Sequence, residues 1–119
     1  MLITSLRVRK VEVPTNRLIA KCTITFDGMF AISDIKVLIK EDGDYYMGMP
    51  SRKTAAGTFK DEAYPVSSEV RTAIENIIFS AVRYSVDNDI ALLNCEIKMG
   101  TNKVSLLQQN IGDYELTSL

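Results

Sequence analysis

Apolar and polar positions alternate with a period of two through most of residues 6–49. Leu6 and Val8 alternate with Arg7 and Arg9, and Val11 and Val13 alternate with Lys10 and Glu12. Arg9 and Lys10 are consecutive polar residues, and a slip of this kind predicts a β-bulge between Val8 and Val11. The next run is regular: Leu18, Ala20, Cys22, Ile24 and Phe26 form one face, and Lys21, Thr23 and Thr25 the other. Asp27-Gly28 follows, a pair that tolerates positive φ at both positions and predicts a two-residue hairpin loop ahead of Met29. Alternation resumes at Phe30 and Ile32, slips at Ser33-Asp34, and continues through Ile35, Val37 and Ile39. A second Asp-Gly, at 42–43, leads into Tyr45-Tyr46-Met47-Gly48-Met49. These segments predict an antiparallel meander of four strands.

The alternation stops at Pro50. Residues 50–58 read as a loop, with Gly57 as its turn residue, and a short extended piece from Phe59 to Tyr64 ends at Pro65. The period then becomes 3.6. Val70, Ala73/Ile74, Ile77/Ile78, Ala81/Val82 and Ser85/Val86 trace one stripe, which predicts a helix of about 18 residues, about 27 Å long and able to lie across a small sheet. Ser67 or Ser68 is the expected N-cap and Asp87-Asn88-Asp89 the stop. Beyond it Leu93, Cys95, Ile97 and Met99 alternate again. Gly100-Thr101-Asn102 reads as a turn, Val104-Ser105-Leu106 as a returning strand, and the chain from Gln108 as a frayed end. The predicted fold class is α+β: a twisted antiparallel β-meander of four to five strands with one long packed helix, plus a C-terminal β-hairpin-like extension. Residues 1–86 are expected to form the main domain and 87–119 the extension.

Composition narrows the chemistry. The chain has 119 residues, enough for one compact domain with a core of its own. It contains no histidine, which excludes His-based triads and His-containing zinc sites. Its two cysteines, Cys22 and Cys95, are too few for a thiolate-only metal site or a disulfide framework. No phosphate loop, dinucleotide glycine pattern or Gly-x-Ser-x-Gly elbow occurs. Asp42 and Asp44 read as a solvated hairpin corner, and Asp61-Glu62, adjacent on an extended segment, point to opposite faces. We therefore expect no enzymatic activity, no metal and no cofactor. No apolar run approaches the roughly 20 residues of a membrane span, and Met1–Arg7 lacks the basic-then-apolar pattern of a secretory signal. A cytoplasmic protein with reduced thiols and no membrane partner is the expectation.

The net charge is only −1, but it is unevenly placed. Residues 1–60 carry ten Lys/Arg against six Asp/Glu, and residues 61–119 carry four against nine. One face is thus free to attract an anion. Ser51-Arg52-Lys53-Thr54 is the densest candidate, with two cations between two hydroxyls; arginine offers a planar fork to phosphate and lysine a point charge. Tyr45-Tyr46 could stack on bases, although alternation places one of the two in the core.

The stretch Met49-Pro50-Ser51-Arg52-Lys53-Thr54-x-x-Gly57-x-Phe59-Lys60-Asp61, followed by Pro65-Val66-Ser67-Ser68-Glu69-x-Arg71, resembles the signature of the stage V sporulation protein G family, the bacterial septation regulators. The order of elements agrees, from Arg7-x-Arg9-Lys10-Val11 through Ala20-x-Cys22-x-Ile24-Thr25-Phe26-Asp27 to Asp34-Ile35-Lys36-Val37, so that the resemblance covers about residues 2–86. It implies a small homodimeric regulator that binds DNA and/or RNA and influences septum placement, sporulation and gene expression. Carried over by position, it implies Arg52, Lys53 and Thr54, with Ser51, Lys60 and Arg71, as nucleic-acid-binding residues. The chain departs from the family pattern at Ala55-Ala56, where a Pro-Asp-like turn pair is usual, and in the added segment 87–119. The alternative reading is a protein-interaction or scaffold module that does not bind nucleic acid.

Overall fold

The computed structural model describes residues 3–97, 103–106 and 113–115. Its elements, in chain order, are β1 (Ile3–Thr15), β2 (Leu18–Phe26), β3 (Phe30–Ile39), β4 (Tyr45–Gly48), β5 (Ser51–Lys53), β6 (Phe59–Asp61), α1 (Ser68–Asp87), β7 (Leu92–Ile97), β8 (Lys103–Leu106) and β9 (Asp113–Glu115). The main sheet has the order β4-β3-β2-β1-β7-β8-β9, and β5 and β6 form a separate two-stranded ribbon. The fold is α+β, and the four-stranded meander is present as the alternation predicts.

One face of the sheet is apolar and lies under the helix. Leu6 and Val8 of β1, Ala20, Cys22, Ile24 and Phe26 of β2, Ile35 and Val37 of β3, and Met47 of β4 are buried there against Ile74, Ile78, Ala81 and Val82 of α1. These are the alternate residues of each strand, so the period-two pattern and the helical stripe meet in one core. The ends of the helix stripe miss it: Val70 and Val86 are exposed.

The helix begins where a cap is expected. Ser67, in extended conformation, accepts the Val70 N–H on its hydroxyl at 3.1 Å, satisfying one of the orphan donors of the first turn. At the other end, the Asn88 N–H donates to the Tyr84 carbonyl and Asp89 turns the chain at φ 51°. Ser85, on the apolar stripe yet fully buried, donates its hydroxyl to the Ile90 carbonyl at 2.7 Å. That bond ties the helix exit to the start of β7.

β7 runs antiparallel beside β1, with Leu6 opposite Cys95 and Val8 opposite Leu93. Leu93 and Cys95 are buried, so the first strand of the extension completes the same core as the meander. β8 pairs antiparallel with β7, giving the hairpin, and β9 pairs with β8 as a further strand. The turn expected at 100–102 lies outside the described residues, as does most of the segment expected to fray.

Three local expectations are corrected. Register is regular from Ser5 to Lys10, so no bulge lies at Arg9-Lys10; the pairing with β2 shifts between Ile3 and Ser5 and again between Lys10 and Thr15. Lys10 takes a helix-side position opposite Ala20, and its long stem carries the ammonium past the helix end to Asp89. The Asp27-Gly28 loop has both residues at positive φ and a Met29 N–H to Phe26 carbonyl bond, but the ladder closes at Phe26 and Phe30, making the connection three residues. Residues 51–53, expected as loop, form β5: Ser51, Arg52 and Lys53 pair with Asp61, Lys60 and Phe59. Three polar residues show no alternation, so only the pairing partner reveals the strand. The expected slip at Ser33-Asp34 is present and takes the form of a bulge, with Asp34 at φ 62° and one extra residue on β3 between the Cys22–Ile35 and Ile24–Ile32 pairs.

Candidate nucleic-acid interface

The predicted basic segment forms the β5–β6 ribbon. Ser51, Arg52, Lys53 and Lys60 are all exposed, and Arg52 stands opposite Lys60. Two carboxylates share the ribbon's end: Asp61 faces Ser51, and Glu62 lies 3.6 Å from the Arg52 guanidinium. Thr54 closes the turn instead of opening a donor to solvent. Its N–H donates to the Thr58 carbonyl at 2.7 Å and its hydroxyl meets that of Thr58 at 2.8 Å. Arg71 sits apart on the helix. It donates to the Met47 carbonyl at 2.9 Å and pairs with Glu75 at 3.4 Å, anchoring α1 to the end of β4. The ribbon therefore brings Ser51, Arg52, Lys53 and Lys60 together, while Thr54 and Arg71 are held by intramolecular bonds.

A second cationic surface was not singled out in the sequence. On the face of the main sheet away from α1, Arg9 of β1 stands opposite Lys21 of β2, and Lys21 opposite Lys36 of β3. The row continues to Gly48 of β4. All three cations are exposed and, among the described residues, none forms an ion pair or hydrogen bond. Arg7, one step along β1, is exposed and donates its Nε–H to the Asn94 carboxamide oxygen at 3.0 Å. A depression of about 200 Å³ is lined by Arg7, Arg9, Lys21, Thr23 and Asp34, and a neighbouring one of about 630 Å³ by Arg7, Thr23, Thr25 and Asn94. Asp34 lines the smaller depression, and Glu96 of β7 stands opposite Ser5 of β1 on the same face.

Like charges directly opposite one another on paired strands are destabilising. Three in one row therefore cost the sheet stability, and their potentials add over a surface about 10 Å across, the width of two strand spacings. The other paired cations are more local. Lys10 is bonded to Asp89, which raises the lysine pKa and lowers that of the carboxyl through their hydrogen bond. Arg17 lies 3.6 Å from Glu41. Alternation could have found the row, because Arg7, Arg9, Lys21 and Lys36 all occupy the non-apolar phase of their strands; only the register shows that they are neighbours.

On the covered face, burial pushes the thiols of Cys22 and Cys95 up to about 12, so both are neutral core residues. Exposed apolar side chains gather elsewhere. Phe30, Tyr64 and Val70 are exposed, and Tyr64 and Val70 border an apolar groove of about 110 Å³ whose floor includes Phe26, Ile32 and Ile74. No helix among the described residues is long and apolar enough to cross a membrane.

Comparison with known proteins bears on the same segments. The sequence profile of the SpoVG family matches residues 1–84, ending inside α1 and ahead of β7. The chain is 40% identical over 88 residues to a septation protein SpoVG of Aster yellows witches'-broom phytoplasma, spanning 74% of this chain and 87% of that protein. It is 38% identical over 89 residues to one from Caldanaerobacter subterraneus subsp. tengcongensis, spanning 75% and 96%. With one from Agathobacter rectalis it shares 39% over 88 residues, spanning 74% and 99%.

Proposed function

The chain belongs to the SpoVG family, and from that premise we propose that it is a non-enzymatic, nucleic-acid-binding regulator of the cytoplasm, binding DNA and/or RNA and acting in septation or sporulation. The observation that carries the reading is the row of Arg9, Lys21 and Lys36, which has no ion-pair partner among the described residues. A fold that keeps three like charges in register on an open face accepts a cost that a bound polyanion removes. Each phosphate neutralised there releases counterions, so affinity falls with salt. The ribbon residues Arg52, Lys53 and Lys60, with Ser51, add a second set of phosphate contacts; Thr54 shapes their turn and Arg71 fixes the helix behind them.

The mechanism needs no bond making. Backbone contacts give affinity without sequence preference, and preference comes from groups that reach bases or sense shape. The protein acts as a homodimer, doubling the number of phosphates engaged by one molecule. The exposed apolar side chains beside the groove, Tyr64 and Val70, are the surface we assign to the second copy. A scaffold module is favoured by the same apolar groove and by the net acidity of the chain, but it leaves the cationic row without a role.

Fluorescence anisotropy with labelled DNA and RNA oligomers at low salt tests the reading. Binding that weakens as salt rises, and is lost in the Arg9→Ala/Lys21→Ala/Lys36→Ala variant, supports it. Absence of binding to every oligomer, together with stoichiometric capture of a protein, supports the scaffold instead. Light scattering at micromolar concentration tests the dimer, and a monomer mass contradicts it.

A further inference from the structure

We infer that the open sheet face takes single-stranded nucleic acid, with Tyr46 as its base-stacking platform and Gly48 keeping the floor beside that platform bare. The inference rests on the nucleic-acid reading above and narrows its ligand.

Tyr45 and Tyr46 are adjacent on β4 and point to opposite sides. Tyr45, opposite Ile39, packs edge-on against Phe79, with ring centroids 5.7 Å apart, and Arg83 lies over its ring at 5.2 Å. Tyr46 shares the phase opposite to buried Met47 and is 52% exposed on the open face. It pairs with Leu38, and the next step along the same face pairs Gly48 with Lys36. Tyrosine, leucine, lysine and a bare glycine thus form one patch at the end of the Arg9–Lys21–Lys36 row.

The glycine is not demanded by the backbone or by packing. Gly48 is not at positive φ, and a Cβ there would meet the Leu38 Cδ1 at 3.8 Å and the Lys36 Cβ at 3.9 Å, which is ordinary contact. Gly48 is the last residue of β4, at the edge of the sheet, and with neither backbone nor neighbours forbidding a side chain its absence leaves room for something else to approach the sheet closely. Here the missing side chain leaves a flat space between an aromatic ring and a phosphate-binding cation.

That arrangement matches a single strand more closely than a duplex. A single strand offers unpaired base faces for stacking, and its backbone can follow a row of cations set across the strands. Duplex recognition in the major groove needs a helix or a two-stranded ribbon that enters it; the patch around Tyr46 is built from strands of the main sheet, and the exposed β5–β6 ribbon belongs to a separate sheet. α1 lies on the other face of the sheet; its Glu69, Glu75 and Asp87 outnumber Arg71 and Arg83, and Arg71 is already engaged.

The test uses the full chain and three labelled probes of equal length: oligothymidylate, an abasic strand with the same phosphates, and a duplex. The parent is expected to bind oligothymidylate at least about fivefold tighter than the abasic strand. Tyr46→Ala and Gly48→Val should each remove most of that difference while leaving the thermal midpoint and abasic-strand affinity near the parent's. Tyr46→Phe should keep it. Because the chain has no tryptophan, its ultraviolet emission comes from tyrosine. Quenching on binding should shrink in Tyr46→Phe although affinity persists, which a purely structural tyrosine would not produce. Equal affinity for oligothymidylate and the abasic strand, tighter binding of the duplex, or an unaffected Tyr46→Ala overturns the inference while leaving the nucleic-acid reading in place. Failure of all three probes to bind overturns both.

Discussion

The two faces of the main sheet are built from the same strands and differ in every physical respect. Leu6, Val8, Cys22 and Val37 are buried under α1; Arg7, Arg9, Lys21 and Lys36 are their immediate neighbours in sequence and stand exposed on the other side. One face gains stability from apolar burial, and the other gives some back through like charges in register. Since the two sets interleave residue by residue, a substitution one position along β1 or β2 moves from the foundation of the fold to its proposed ligand surface. The account therefore predicts that stability and binding separate cleanly by face.

The largest effect belongs to the covered face. Leu93→Ala empties a fully buried site on β7, opposite Val8 of β1, and should cost about 2–5 kcal/mol in chemical denaturation. It also tests whether β7 belongs to the common core, because a strand packed only at the margin would lose far less. The folded fraction should still bind nucleic acid with parental affinity.

Next comes the open face. Arg9→Ala/Lys21→Ala/Lys36→Ala should lower affinity for a labelled oligomer on the order of 100-fold at low salt. Its stability should equal or slightly exceed the parent's, since the repulsion in the row is gone. A large drop in thermal midpoint would break the separation between the faces.

How much of this was legible before the structure follows the same division. The covered face was readable because alternation in Leu18–Phe26 and the stripe from Ile74 to Val82 are local patterns, as were the Ser67 cap and the slip at Ser33-Asp34. The pairing of β7 with β1 joins residues some 87 positions apart, such as Arg7 and Asn94, and no local pattern encodes it. β5 was hidden because Ser51, Arg52 and Lys53 are all polar. Lys10 read as a bulge because its helix-side place contradicts its polarity, and only Asp89 explains it. The ribbon cations were found because they are consecutive. The sheet cations were missed as a group because they are spread from residue 7 to residue 36 and meet only through register.

The covered face also carries a pH dependence. Cys22 and Cys95 have thiols raised from 9.0 to about 12, so the stability tied to their neutral form is complete below pH 9. It is lost as pH rises toward 12, by about 1.4 kcal/mol per thiol at pH 10. Lys10, also raised, adds to the alkaline loss, whereas the lowered Asp89 carboxyl gives a contribution that fades in acid, below its ordinary 3.8. Urea denaturation at pH 7, 10 and 3 checks these signs. Iodoacetamide should label both thiols slowly in the native state, and fast labelling would place them outside the core.

The smallest effect sharpens the open face. Asp34→Asn removes the carboxylate that shares a depression with Arg7, Arg9 and Lys21, and asparagine tolerates the positive φ of the bulge. Affinity should rise by roughly two- to threefold at low salt, an increment that disappears at high salt. No change would place the bound strand away from this end of the row.

The salt dependence of binding to a single-stranded oligomer, measured side by side for the parent, the sheet-face triple variant and Arg52→Ala/Lys53→Ala, tests the central claim most directly. The account predicts that the slope of log affinity against log salt falls in magnitude by about 2 in the triple variant, at roughly 0.7 per lost phosphate contact, and by less in the ribbon variant. A slope unchanged in the triple variant and collapsed in the ribbon variant would contradict it and return the site to the segment after Met49.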